Sequence, residues 1–493
     1  MMNDHGKSDR RKVPAKFANE GGATLPEERD GGKAANQREQ VKQNTFRTQK
    51  AETDVQSALD RVRKVAKSDK KMQFTNLMHH ISSVDRLRAS YFAMKKTAAA
   101  GIDGETWKSY GENLEANLQS LSERVQRGGY RAKPVRRVFI AKADGKQRPQ
   151  GVPVLEDKIV QRSTVEVLNA IYETDFLDIS YGYRPGKGQH NCLDNLYVGL
   201  VKKRVNWVLD ADIRGFFDNL NHDWLTKFVE HRIGDKRVIR LIVKWLKSGV
   251  MLDDQLIETE EGIPQGGSIS PLLANIYLHY VLDLWVQQRQ KDKSRGEMII
   301  VRWADDFVVG FEHKSQAEKF LTELKERMLK FSLELHPEKT RILEFGRYAA
   351  TNRKKRGLGK PETFNFLGFT HICGQTRKNG WFTVLRQTIK KKMRAKLREI
   401  KVELRKRMHQ SVPEQGKWLR SVVGGHLRYY GVPTNQHALG GFRHQVSWLW
   451  FRTLKRRSQK SRLTWPCMIR HTDRWLPRVL IHHPYPLKRY YLR

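Results

Sequence analysis

The sequence predicts an α+β fold in which strand–turn–strand units alternate with amphipathic helices and an α-rich region follows. Three observations carry this. Apolar, β-branched runs broken by tight polar turns occur at Val135–Arg148 and Met298–Val309, the pattern of hairpins. Between them, apolar residues recur every three or four positions, the pattern of helices with one buried face. After about Gln387 the strand-like runs give way to cations interleaved with large aromatics.

Composition narrows the function. A chain of 493 residues has room for about two to four domains. Its 93 Lys and Arg against 53 Asp and Glu leave a formal charge of +40. Such an excess is more than surface solubility needs and points to a large polyanion, most simply nucleic acid. No apolar run is long enough to span a bilayer, and the N-terminus lacks the apolar core of a signal peptide, so no membrane partner is expected. Cys192, Cys373 and Cys467 are too far apart for a Cys-x-x-Cys zinc pair or a disulfide framework, which fits a reducing cytoplasm.

Residues 1–55 are polar, Gly-rich and charged, and read as a disordered arm. Residues 56–134 read as a helical extension. Leu77, His80, Ile81 and Val84 keep helical spacing, as do Leu87, Tyr91 and Met94. Gly101-Ile102-Asp103-Gly104 breaks the pattern, and a further helix carries Leu114, Leu118, Leu121 and Val125 to an end near Gly128-Gly129. Val135–Arg148 is a cation-rich hairpin about Asp144-Gly145. Lys142 and Arg148 flank its turn, where charges can grip a triphosphate; a solvated hairpin is the plain alternative for either. A helix follows over Asp157–Tyr172, then a basic, aromatic loop, Ser180-Tyr181-Gly182-Tyr183-Arg184-Pro185-Gly186.

Val205–Leu209 is an apolar strand leading into Asp210-Ala211-Asp212-Ile213-Arg214-Gly215-Phe216-Phe217-Asp218. Helices are expected over Asp223–Glu230 and Arg237–Ser248. The glycine-rich turn Gly262–Pro271 opens another, with Ser270 as N-cap and Pro271 at the first helical position. Ser315–Lys330 reads as a helix and Leu333–Arg341 as a short strand with a basic turn. Asn352–Lys360 reads as a basic loop and Phe364–Phe369 as a hydrophobic strand or turn. Gln387–Met408 reads as a helix with Ile389, Met393, Leu397, Ile400, Leu404 and Met408 on one face and almost only Lys and Arg on the other. A face so one-signed suits phosphate contact, although a solvated face is the commoner case. From Trp418 onward, Tyr429, Tyr430, Trp448, Trp450, Trp465, Trp475, Tyr485 and Tyr490 alternate with cations, as in RNA binding by stacking and charge; about half of these rings are expected in the core.

The chemistry centres on Val301-Arg302-Trp303-Ala304-Asp305-Asp306-Phe307-Val308-Val309-Gly310. Two adjacent carboxylates sit at a turn between apolar strands. Buried acids are costly unless paired or bound to metal, so the turn is a metal-site candidate against the alternative of a solvated turn. Asp212 ends a separate strand. Carboxylates converging from two strands can hold a pair of Mg²⁺ ions, whose shells substrate phosphates complete. Two such ions serve nucleotidyl transfer from a 3′-hydroxyl.

From about Phe74 to Phe369 the chain resembles the reverse transcriptases encoded by bacterial group II introns. The likeness rests on an ordered set: Arg136–Ile140 with Lys142–Arg148; Tyr181–Gly186; Asp212–Asp218; Pro264-Gln265-Gly266-Gly267; Ala304-Asp305-Asp306; His336-Pro337-Glu338-Lys339-Thr340; Phe366-Leu367-Gly368-Phe369. Each is weak alone; seven in order are specific. Beyond Gln387, Gly425-His426-Leu427-Arg428-Tyr429-Tyr430-Gly431 resembles the thumb and maturase region of the same family.

The resemblance implies a right-hand polymerase: fingers and palm over 135–375, a helical thumb over 376–415 and an α-rich, RNA-binding maturase domain over 416–493. It implies catalytic roles for Asp212, Asp305 and Asp306, which bind Mg²⁺ with the Ile213 backbone, and for Lys339 as proton donor to pyrophosphate. Lys142 and Arg148 would grip the triphosphate. Gln265 would touch the incoming nucleotide. Phe217 would lie under its sugar and exclude a 2′-hydroxyl. Arg136, Arg184, Phe366, Gly368, Arg394, Arg398, Arg428, Tyr429 and Tyr430 would contact nucleic acid. Asp210 and Asp218 would be structural or peripheral. Partners would be the intron RNA, target DNA with its primer, and dNTPs, in a cytoplasmic, nucleoid-associated bacterial protein; a homodimer is left open.

Two departures stand out. Trp303 replaces the Tyr usual two residues before the first Asp of the pair, which bears on primer positioning rather than metal binding. The cysteines of the family's endonuclease module are absent, so no endonuclease is expected, and a nascent DNA end at a replication fork could supply the primer. Two other readings stay open: a reverse transcriptase recruited to phage defence or CRISPR spacer acquisition, and a non-catalytic RNA-binding splicing factor.

Overall fold

Alternation along the strands sorts the middle of the chain into two cores. The computed structural model describes residues 56–141, 147–252, 255–291 and 296–491. The expected arm over 1–55 and the Lys142 assignment lie outside the described residues.

The helical extension comprises α1 (residues 56–68), α2 (Met78–Ser82), α3 (Val84–Phe92), α4 (Trp107–Glu112) and α5 (Leu114–Gln126). Next come β1 (Val135–Ala141) and β2 (Gln147–Val152), an antiparallel hairpin with Ile140 opposite Arg148. After α6 (Leu155–Asp175) and α7 (Gln189–Lys202), β3 (Trp207–Ala211) enters a second sheet. Helices α8 (His222–Glu230) and α9 (Lys236–Leu246) then lead to β4 (Val250–Leu252) and β5 (Gln255–Ile257), which complete a first sheet of order β2-β1-β4-β5.

Helix α10 (Ser270–Leu278) runs into a π-helical turn, His279–Asp283, and continues as α11 (Leu284–Lys291). The hairpin β6 (Met298–Trp303) and β7 (Asp306–Phe311), helix α12 (Lys314–Lys330) and β8 (Arg341–Glu344) finish the second sheet, order β6-β7-β3-β8, antiparallel throughout. Both faces of this sheet are covered. Leu209, Ala211, Ile300, Phe307, Val309 and Phe311 join one core, with α6, α8 and α10. Val208, Val301, Val308 and Leu343, at the intervening positions, join the other.

Helix α13 (Ala349–Lys355) precedes a third sheet, β11-β10-β9, made of β9 (Phe364–Phe366), β10 (Phe369–Gln375) and β11 (Phe382–Thr388). A third core, including Ile400, Leu404, Leu419, Val423, Phe442, Val446 and Trp450, unites α14 (Lys390–Lys406), α15 (Val412–Tyr430), α16 (Gln436–Lys455) and α17 (Trp465–Trp475). The indole of Trp450 is fully buried and donates to Gln415 Oε1 at 2.7 Å, so its polar edge is satisfied. Helix α18 (Pro486–Tyr491) follows and packs on α7. Among the described residues no helix is long and apolar enough to cross a membrane.

Four local expectations differ from the structure. Ser270 is the first residue of α10, not its N-cap; its hydroxyl donates to the Pro264 carbonyl at 2.8 Å and holds the glycine-rich turn. The cationic helix starts at Lys390 rather than Gln387, because Phe382–Thr388 is drawn into β11 by its pairing with β10. Half of the basic loop over Asn352–Lys360 lies in or abuts α13, whose Arg353, with Arg356, pairs with Glu344. In Leu333–Arg341, only Leu335 before β8 makes a bridge, to Ile213.

Candidate active site

The β6–β7 turn has two residues, Ala304 and Asp305, because Trp303 pairs with Asp306. Ala304 takes φ +56°, a left-handed conformation that costs a non-glycine residue about 1 kcal/mol or more. On the neighbouring strand Ala211 pairs with Phe307, so Asp212 leaves β3 level with Asp306. Three carboxylates from two strands are thus brought to one edge of the sheet. Asp306 itself stands exposed at the turn, yet the protein packed around it and the charges of Asp305 and Asp212, with a hydrogen bond to Asp212, raise its pKa. Desolvation also raises Asp305, with Asp212 adding to it; Arg148 and Lys339 pull the other way. Asp210, behind them, is pushed up to about 6 by burial, against the opposing charge of Arg341. Like charges held together in this way favour any cation that enters.

Asp212 is fixed from the 336–340 turn. Its backbone oxygen accepts from His336 N at 2.7 Å, and the Lys339 ammonium is ion-paired with its carboxylate. Ile213, buried, bridges to Leu335 through the backbone. Among the described residues no trio of His, Cys, Asp or Glu stands close enough to ligate one ion. Lys339 now occupies Asp212 as a cation would. The donor set, crowded carboxylate oxygens, has the hard-ligand chemistry that Mg²⁺ requires.

A cleft of about 300 Å³ lies where the first sheet faces the glycine-rich turn and the segment after Asp212, with Arg137, Phe217, Asp218, Gly262 and Gln265 among its walls. Ile263 N donates to Phe217 O at 2.7 Å and Gly262 N to Leu220 O at 2.8 Å, which stitches the glycine-rich turn to the segment after Asp212. Gly151 N donates to Gln265 O at 2.6 Å, joining the same turn to β2. Gly266, at φ +120°, lies so close to the Gly151 carbonyl that a Cβ has no room. Arg148 Nε donates to Gln265 Oε1 at 2.9 Å, and Gln265 Nε2 reaches Asp218 Oδ1 at 3.4 Å. Arg148, Gln265 and Phe217 are therefore brought to one place. Asp218, read as peripheral, lines the cleft too; its spacing from Asp212 carried no signal of this.

Other assignments part company. Arg184 is turned inward: Glu173 and the carbonyls of Leu177 and Ser180 take its guanidinium, which organises the Tyr181–Gly186 loop instead of meeting nucleic acid. Phe366 is buried in the second core. Gly368, at φ +86°, forms the β9–β10 turn beneath Tyr430. The Tyr429 hydroxyl donates to Leu367 O at 2.7 Å, and its ring stacks on Phe369 at 5.9 Å. Tyr429 and Tyr430 are half-buried supports of that turn, not open stacking platforms. Arg136 is exposed and donates to Ala100 O at 2.8 Å. Arg394 and Arg398 lie on the outer face of α14, and Arg428 is exposed on α15. Trp303 is half-buried against the second core.

Similarity to known proteins covers the stretch that carries this geometry. The family model described as "Reverse transcriptase (RNA-dependent DNA polymerase)" matches residues 140–371. Protein YkfC of Escherichia coli (strain K12) is 34% identical over 274 residues, 49% of this chain and 71% of that protein. The Group II intron-encoded protein LtrA of Lactococcus lactis subsp. cremoris is 31% identical over 306 residues, 59% of this chain; the chain spans only 50% of its length. An uncharacterized 91 kDa protein in the cob intron of Schizosaccharomyces pombe is 38% identical over 159 residues, 32% of this chain and 19% of that protein.

Proposed function

The chain belongs to the reverse transcriptase family, in its group II intron-encoded branch, and on that premise we propose that it copies a group II intron RNA into DNA and assists the splicing of that RNA. The observation that carries the reading is the convergence of Asp212 with Asp305 and Asp306 beside the cleft walled by Phe217 and Gln265.

In this reading the first sheet, with β1 and β2, is the fingers, the second the palm, and α14 onward the thumb and maturase region. Asp212, Asp305 and Asp306 would hold Mg²⁺, with the Ile213 backbone beside it. Bound there, magnesium supplies the Lewis acidity that activates a primer 3′-hydroxyl and offsets charge on pyrophosphate. The remaining work falls to the chain. Arg148 grips the triphosphate, and Gln265, held by Arg148, sets the height of the incoming base. Phe217 closes the space that a 2′-hydroxyl needs. Lys339, held beside the site by its ion pair with Asp212, is the group that can deliver a proton to the leaving pyrophosphate. The β9–β10 turn, braced by Tyr429, seats the primer end. Exposed cations on α14 hold RNA phosphates, while the splicing chemistry belongs to the RNA.

The two activities separate in one experiment. Asp305→Ala is expected to abolish DNA synthesis on an RNA template and to leave protein-assisted splicing of the intron RNA intact. Loss of both activities in a folded variant contradicts the division of labour; no DNA synthesis by wild type contradicts the polymerase.

A further inference from the structure

Directly beneath the catalytic turn lies a fully buried charge network. Arg302, the last buried residue of β6, and Asp283, the last residue of the π-helical turn, are both 0% exposed. Arg302 Nε donates to Asp283 Oδ1 at 2.8 Å and Nη2 to Oδ2, a bidentate pair. Its remaining arm, Nη1, lies 3.0 Å from both Asn275 Oδ1 and the Ala304 carbonyl. Asn275 in turn donates through Nδ2 to Gly182 O at 2.7 Å. Gly182 packs so tightly on the Ala304 amide that a Cβ there would run into the backbone of residues 303 and 304.

The peptide between Ala304 and Asp305 is thereby gripped at its oxygen, and the peptide before it is walled in at its nitrogen. Those two peptide planes meet at the Ala304 Cα, hold its φ and ψ, and so place the Cα of Asp305 at the far corner of the second plane. The grip acts where it is needed, since Ala304 sits at φ +56° and would relax if released. A pair buried this deeply is a poor source of stability, because desolvation offsets its attraction. Apolar packing could hold a hairpin as well; it could not hold a carbonyl oxygen. A π-turn widens a helix locally, and π-turns recur at functional sites; here the widened turn ends on the residue that orients the guanidinium.

We propose that Arg302, oriented by Asp283 and coupled through Asn275 to the Tyr181–Gly186 loop, is a positioning residue that sets the carboxylates of Asp305 and Asp306 for the metal. The inference rests on the polymerase reading for its kinetic test alone.

The test uses the full chain with Arg302→Met/Asp283→Leu, which exchanges the pair for apolar side chains, and with Arg302→Lys, which keeps the charge and loses the fork. Thermal unfolding reports the fold. Terbium luminescence excited through tryptophan reports ion binding, the signal lost in Asp305→Ala defining the site. Single-nucleotide incorporation gives kcat and KM for the dNTP. Folded variants are expected to bind terbium at that site about ten-fold more weakly and to lose about 100-fold in kcat, with KM little changed, as for a reacting group misplaced by about an ångström. A variant that melts with wild type and retains its terbium affinity and kcat overturns the proposal. If the double variant does not fold, Arg302→Lys decides. If wild type makes no DNA, the polymerase reading fails, and the terbium comparison still decides this one.

Discussion

Single residues around the site decide what it can hold. Gly182 is the clearest case, because its missing Cβ is the space that the Ala304 amide fills. Gly182→Ala is expected to cost about 1–3 kcal/mol in denaturant unfolding and to lower kcat more than the dNTP KM. Phe217 is the second. It lies 8% exposed in the cleft wall, and its ring can exclude a 2′-hydroxyl only by bulk. Phe217→Val should narrow the preference for dNTPs over rNTPs by about ten- to a hundred-fold, measured as the ratio of kcat/KM values, roughly 1–3 kcal/mol. The placing of the two acids at a turn between apolar strands was legible in the sequence, although the pair alone did not separate a metal site from a solvated turn. The fate of Arg184 was not. An arginine in an aromatic loop reads as a phosphate ligand until the fold brings Glu173 and two carbonyls around it. Arg302 hid for the same reason, because Asp283 meets it only through the fold.

Elements whose pattern lies within one segment were readable, and elements settled by another segment were not. The β6–β7 hairpin, α5, α6, α8, α9 and α12 follow from alternation or helical spacing within one segment. Strand β11 and helix α13 are settled by partners outside their own segments, β10 and Glu344, and were missed or misread. One helix also brings a pH effect. In α6, Asp157 accepts from the Tyr130 hydroxyl and from Lys133 N, yet burial outweighs these bonds and pushes its pKa up to about 6. The folded state therefore binds this proton more tightly than the unfolded chain. Between about pH 4 and pH 6 folded protein holds more of it, so this group's contribution falls as pH rises through that window. Asp157→Asn removes the slope. Urea midpoints taken from pH 4 to pH 7 should fall more steeply in wild type than in the variant, by the equivalent of about 1–3 kcal/mol.

Across the whole molecule, positive charge reaches well beyond the carboxylates. The chain carries +40, and the outer face of α14 presents Arg394 and Arg398 away from the third core. Replacing both by Ala should weaken RNA binding and reduce the slope of log K against log salt by about 1–2, leaving single-nucleotide incorporation at saturating template unchanged. The convergence of Asp212 with the Asp305–Asp306 turn is the claim on which the rest depends. Its most direct measurement is extension of a DNA primer on an RNA template with dNTPs and Mg²⁺, comparing wild type with Asp212→Asn, a near-isosteric change that removes one charge from the site. Extension by wild type, with a loss of about a thousand-fold or more in a variant that folds and binds RNA normally, is the result expected for removal of a metal-holding carboxylate. Wild-type rates in Asp212→Asn would contradict a shared catalytic site.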